Sequence, residues 1–230
     1  MSDELEDKCS TVCYPTIKPL LQALKLRSCC NQEEDSEESL GLPTSCMDIP
    51  NAQGVKRIKV PGAKSFEVLC DSEILGHGWT LILHNQGGEN FNRNWTEYKN
   101  GFGEVSFFWG LEALYLMTRS QPHELFITAG FEDNSTISNH FDNFIIGGES
   151  DGYRLKSVGK PSNDGLLFIK AQVNSKFSTF DRNNVGTETN LAVKNKGGWW
   201  FSEDSDLCLT YSQPKNEWYV MMVRAKTGEN

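Results

Sequence analysis

The chain has 230 residues, 38% hydrophobic and 23% charged, which is enough for one good core and a small appendage. Its formal net charge of −9 argues against a nucleic-acid partner, because phosphate backbones need a clustered basic face and none is found. Anionic membranes are disfavoured for the same reason, and no apolar run approaches the ~18 residues that would span a bilayer.

Residues 1–45 have a character of their own. The opening MSDELEDKC is acidic and lacks an apolar h-region, so the sequence as it stands shows no secretory signal. Seven cysteines, with Cys29 and Cys30 adjacent, nonetheless fit an oxidising compartment. Secretion is the expected localisation if the start is incomplete or already processed; otherwise the thiols serve another purpose. Ile17, Leu20, Leu21 and Leu24 share a helical face over about two turns, too short to stand alone in water. Three readings stay open for this segment. One is a leader followed by the solvated acidic run EEDSEES. Another is a stalk in which Cys9, Cys13, Cys29 and Cys30 cross-link chains into a homo-oligomer. The third is a zinc knot, although CxxxC plus CC is not a standard ligand spacing.

From Cys46 to about Lys226 the pattern is that of a second domain, with residues 227–230 as a tail. Short strands are predicted at FEVLC, WTLILH, ELFITAGF, FDNFIIGG, YRLKSV and WYVMMVR, each rich in β-branched and aromatic residues. One helix is predicted over SFFWGLEALYLMTR, whose apolar residues recur at helical spacing. Six tryptophans and thirteen phenylalanines supply the buried area, so the core does not depend on a metal. The fold class is α+β.

Within this domain GESDG (Gly148–Gly152) matches the nucleophile pattern G-x-S-x-G, which would make Ser150 a hydrolase nucleophile. That elbow requires a strand before it and a helix after it. Here strands are predicted on both sides, so a hairpin turn is expected and no catalytic residue is assigned. The four histidines, His77, His84, His123 and His140, show no metal-ligand spacing. Asn94-Trp95-Thr96 and Asn134-Ser135-Thr136 are glycosylation sequons. Trp95 sits in a core-like phrase, whereas EDNSTISN reads as an exposed loop, which makes Asn134 the better acceptor.

Read in order, CMDIPNAQGVKRIKVPGAKSFEVLCD, GHGWTLILHNQGGENFNRNWTEYKNGFGEV, FFWGLEALYLMTR, ELFITAGFED, KFSTFDRNN and KGGWW resemble the fibrinogen C-terminal-like domain. The resemblance implies a small disulfide-closed N-terminal subdomain with Cys46 paired to Cys70, a central twisted antiparallel sheet with helices packed on it, and a loop-rich C-terminal subdomain. It also implies a recognition module with no catalytic activity, carrying a calcium loop beside a pocket for acetylated or sugar groups.

In that C-terminal subdomain the sequence departs from the pattern. The two acidic calcium ligands fall on Asn183 and Val185, and the two cysteines that bridge across GGWW fall on Leu191 and Asp204. The stretch after Cys208 is shortened. Asp181 is expected to cap a turn, Val185 has no side-chain oxygen, and no working cation site or other cofactor is expected. Cys208, left without a family partner, is expected to be buried as a small hydrophobe. If a pocket survives, Asp204, Ser205, Tyr211, Trp218 and Tyr219 are its candidate lining, an aromatic hollow with a few polar groups suited to an acetylated or saccharide ligand in innate immunity. The alternative is a protein–protein adhesion or signalling ligand that has abandoned the small-molecule pocket.

Overall fold

The computed structural model describes residues 41–203, 207–211 and 217–227. Cys9, Cys13, Cys29 and Cys30, the two-turn helix from Ile17 to Leu24, and the candidates Asp204 and Ser205 lie outside the described residues. After a 3-10 turn at Cys46–Asp48 come β1 (Gly54–Ile58), β2 (Phe66–Asp71), β3 (Trp79–Asn85), α1 (Trp95–Asn100), β4 (Phe102–Gly103) and β5 (Phe107–Phe108). They are followed by α2 (Leu111–Ser120), β6 (His123–Gly130), β7 (Thr136–Phe141), β8 (Ile145–Ile146), β9 (Leu155–Ser157), α3 (Phe168–Ala171), α4 (Leu191–Asn195) and β10 (Trp218–Ala225).

The main sheet is antiparallel in the order β1-β2-β3-β10-β6-β7, with the last strand of the chain inserted at its centre. β3 has two partners on its other side: Leu81 lies opposite Leu69 of β2, and further along Leu83 lies opposite Phe108 of β5. All seven residues of β3 are buried. Covered on both faces, a central strand reads as a continuous apolar run, which is why WTLILH and WYVMMVR stand out in the sequence.

Two predicted elements are corrected. The helix begins at Leu111, not among the preceding aromatic residues, because Phe107 and Phe108 pair with β3 and the Trp109 N–H donates to the Ile82 carbonyl at 2.9 Å. Gly110, at φ 119°, turns the chain out of the sheet in a region closed to other residues. In FDNFIIGG only Ile145 and Ile146 form β8. Phe141 closes β7, and the N–H groups of Asp142 and Phe144 are spent on Lys160 and His123 carbonyls.

Several elements lie outside the predicted set, β1, β7 and α1 among them. β1 (GVKRI) and the edge strand β7 (TISNHF) carry charged or polar residues that blunt the strand pattern. α1 has only six residues, and its start is set by a capping box. There Asn94 Oδ1 accepts from Glu97 N at 2.9 Å, and Glu97 Oε2 accepts from Asn94 N at 3.0 Å.

The expected hairpin, disulfide and buried cysteine are present. β8 and β9 pair antiparallel around GESDG, with a 3-10 turn at Glu149–Asp151 and Gly152 left-handed at φ 65°, so no helix follows Ser150. Cys46 and Cys70 are bonded, with Cα atoms 5.6 Å apart. Cys208 is buried at 4% exposure. The histidines go to four separate partners: His77 to the Met47 carbonyl, His84 to Val105, His123 to Gln121, and His140 to the Glu124 carboxylate.

Candidate functional site

The C-terminal subdomain is built around the two tryptophans of KGGWW. Trp199 and Trp200 are fully buried, and the Trp200 ring meets Phe177 edge-on at 5.0 Å, with Trp199 at 5.2 Å and Phe144 at 6.4 Å. Each indole N–H has an acceptor, Trp199 on Gln172 Oε1 and Trp200 on the Tyr153 carbonyl, both at 2.7 Å. The paired glycines are there for approach. A Cβ on Gly198 would lie 2.6 Å from the Tyr98 ring, and one on Gly197 would strike the Thr210 carbonyl. The Gly198 N–H donates to the Tyr98 hydroxyl, which donates to the Phe91 carbonyl. Burial pushes the Tyr98 phenol well above its ordinary range and keeps it neutral in this relay.

This core holds both ends of the loop from Asp181 to Asn190. Ser178 and Trp199 exchange backbone hydrogen bonds at 2.9 and 3.0 Å where the loop leaves. Where it returns, Asn190 caps α4 through Oδ1 on Ala192 N and reaches back through Nδ2 to the carbonyls of Thr179 and Phe180. Within the loop Asn183 Oδ1 accepts from Val185 N, while its Nδ2 donates to the Thr187 carbonyl at 3.0 Å. Asp181 caps a turn of a different kind from the one expected. Its Oδ1 accepts from Thr179 Oγ1 at 2.7 Å and from Trp95 N at 3.0 Å, so it ties the loop to the first turn of α1.

The donor set does not fit calcium. Asn183 spends Nδ2 on the Thr187 carbonyl and Oδ1 on Val185 N, Val185 offers no side-chain oxygen and packs against the core, and Oδ1 of Asp181 is taken by Thr179 and Trp95. The side-chain amides of Asn183 and Asn190 bond across the loop. Thermal melts in millimolar calcium and in chelator are therefore expected to superpose. A rise of several degrees, removed by Asp181→Ala with Glu188→Ala, would show a working site, since a ligand at about 100 times its dissociation constant adds roughly 2.7 kcal/mol.

Of the candidate pocket residues, Tyr211 and Tyr219 come together. Their hydroxyls are 2.9 Å apart, and both reach Glu217 Oε2. Burial raises both phenols above their ordinary range. Trp218, next to Tyr219 in β10, leaves the opposite face of the strand and covers Gly130, where a Cβ would strike its indole. Tyr211, Trp218 and Tyr219 thus do not wall one hollow.

A cleft of about 450 Å³ lies instead beside the loop. Arg154, the segment from Ala171 to Lys176, Asn184 with Val185, and Phe201 to Glu203 line it. Its size is that of a ligand site. Lys176 and Asn184 are the two ends of KFSTFDRNN, Arg154 and Ser202 belong to no motif, and the buried Trp199–Trp200 pair helps to bring the four stretches together through Gln172 and Tyr153. Asn184 holds one wall through Nδ2 on the Phe177 carbonyl at 2.6 Å.

The two sequons differ as expected in setting. Asn134 is exposed at the turn between β6 and β7, with φ 63°, whereas the Asn94 side chain is committed to capping α1.

Comparison with known proteins agrees with the fold. The family model described as fibrinogen beta and gamma chains, C-terminal globular domain, matches residues 46–220. Mouse angiopoietin-4 is 36% identical over 155 residues, covering 66% of this chain and 30% of the relative. Bovine fibrinogen-like protein 1 is 33% identical over 212 residues, covering 81% of this chain and 67% of the relative. The chain thus spans about a third of the angiopoietin's length. Among solved structures, the fibrinogen-like globe domain of human ANGPTL2 superposes with a TM-score of 0.70 at 23% identity, over 80% of this chain and 99% of that one. Lamprey fibrin D-dimer, complexed with the peptide ligand Gly-His-Arg-Pro-amide, superposes with a TM-score of 0.67 at 22% identity, over 93% and 85%. Among the described residues no helix is long and apolar enough to cross a membrane.

Proposed function

The chain belongs to the fibrinogen C-terminal domain family, and from that premise we propose that it is a non-enzymatic, extracellular recognition module that binds another protein through the cleft beside the Asp181–Asn190 loop. The observation that carries this reading is the cleft itself, of ligand-site size and walled by segments that hydrogen bonds and the tryptophan core hold in place. Its polar wall of both charges suits a peptide segment, whose backbone supplies donors and acceptors together. The acetylated or saccharide ligand is the second reading; Tyr211 with Tyr219 supports it, and Trp218 on the other face of β10 weakens it.

Ala171 is exposed on the cleft wall, so Ala171→Trp fills the site with little cost to folding. The chain, displayed multivalently to gain avidity, is to be tested against arrayed extracellular protein domains and arrayed glycans. Protein binding that Ala171→Trp removes is expected. Glycan binding that the same change removes, without protein binding, would establish the second reading instead.

As a secreted protein the chain carries its glycan on Asn134, whose side chain is exposed, and not on Asn94, whose amide is held in the capping box. Glycopeptide mass spectrometry of secreted material is the check, and Asn94 occupied with Asn134 bare would reverse the assignment.

A further inference from the structure

Three hydrogen-bond donors on the cleft wall have no partner among the described residues. Arg154 spends Nε on Asp151 Oδ1 at 3.1 Å and Nη1 on the Asn174 carbonyl, which fixes the guanidinium plane and leaves Nη2 uncommitted. Lys176 lays its aliphatic stem beside Gly152, where an added Cβ would meet Lys176 Cδ at 3.1 Å, and its ammonium carries no ion pair. Ser202 Oγ is buried without a hydrogen-bond partner, an arrangement that costs stability unless a ligand completes it. Donors are thus in excess; the ionised side chains of the wall itself, Arg154, Lys176 and Glu203, sum to +1, and Asp151, paired with Arg154, brings the local sum to zero on a chain whose net charge is −9.

We propose that the cleft receives a single carboxylate from an acidic peptide segment of the partner, bound by Arg154 Nη2 and the Lys176 ammonium, with the Ser202 hydroxyl donating to it. This rests on the cleft being the recognition site. Charge-assisted bonds from a pre-oriented guanidinium favour a carboxylate over a neutral amide of the same shape. Glu203 separates the peptide from the polyanion. A sulfated glycan would bring further negative charges against Glu203 and against the acidic chain as a whole, whereas the N–H groups flanking a peptide carboxylate suit Glu203 as an acceptor.

Fluorescence polarisation with the full chain tests this. The probes are a labelled pentapeptide amide with aspartate at its centre, its asparagine counterpart, an alanine-centred peptide with a free C-terminal carboxylate, and a heparin-derived tetrasaccharide. The aspartate peptide is expected to bind at least tenfold more tightly than the asparagine one. Lys176→Glu is expected to remove that preference with an unchanged melting temperature, and Ser202→Ala to weaken it about threefold. The free-carboxylate probe tells a chain terminus from a side chain as the source of the anion.

No binding of either carboxylate probe, an aspartate preference that survives Lys176→Glu, or tighter binding of the tetrasaccharide would each overturn the assignment. Equal binding of aspartate and asparagine peptides, lost for both in Ala171→Trp, would overturn the carboxylate and leave recognition through the cleft standing. Equal binding untouched by Ala171→Trp would overturn both.

Discussion

Replacing Trp200 with alanine is expected to remove about 3–5 kcal/mol of stability, the range for deleting a large aromatic side chain from a core. Trp200 is fully buried, touches Phe144, Phe177 and Trp199, and donates its indole N–H to the Tyr153 carbonyl at 2.7 Å. The variant loses that ring area and leaves a buried carbonyl without its donor. A loss of this size is a large share of the 5–15 kcal/mol typical of a folded domain. Because Trp200 sits where the walls of the cleft meet, the cleft is expected to lose its shape before the main sheet unfolds. Chemical denaturation with tryptophan fluorescence measures the loss. A change below about 1 kcal/mol, the range of an ordinary surface substitution, would mean that the second subdomain is not held by this residue.

The second large effect is expected from the Cys46–Cys70 bond, which closes a loop with a sequence separation of 24. Constraining the unfolded chain over that length is worth about 3 kcal/mol in the chain-entropy model. For a domain of this size, 2–4 °C per kcal/mol converts this into a fall in melting temperature of roughly 6–12 °C for Cys46→Ala with Cys70→Ala. The bond joins the 3-10 turn at Cys46–Asp48 to β2, and Thr80 of the neighbouring strand donates to Cys46 Sγ at 3.0 Å. A melting temperature unchanged by the double substitution would show that packing under β3 already supplies the constraint.

The main sheet was legible in the sequence wherever a strand is covered on both faces, as in β2, β3, β6 and β10, because continuous burial selects a continuous apolar run. Partly solvated strands such as β1 and β7 were not, since their pairing comes from backbone bonds that any residue can make. The opening residues of the predicted helix show the same limit. FFW carries an apolar pattern that fits either element, and pairing with β3 together with the φ of Gly110 settled it.

What the sequence determined by itself was local chemistry: the family pattern, the Cys46–Cys70 pair that the family implies, the capacity of the tryptophans to build a core, and the loss of carboxylate ligands at Asn183 and Val185. The tertiary structure decided where those groups meet. That Asp181 reaches the N–H of Trp95, 86 residues away in the chain, and that Trp218 covers Gly130 depend on contacts distant in sequence. So does the cleft. Arg154, Lys176 and Ser202 come from three separated segments, and no spacing rule links them; they share a wall that the Trp199–Trp200 core helps to draw together.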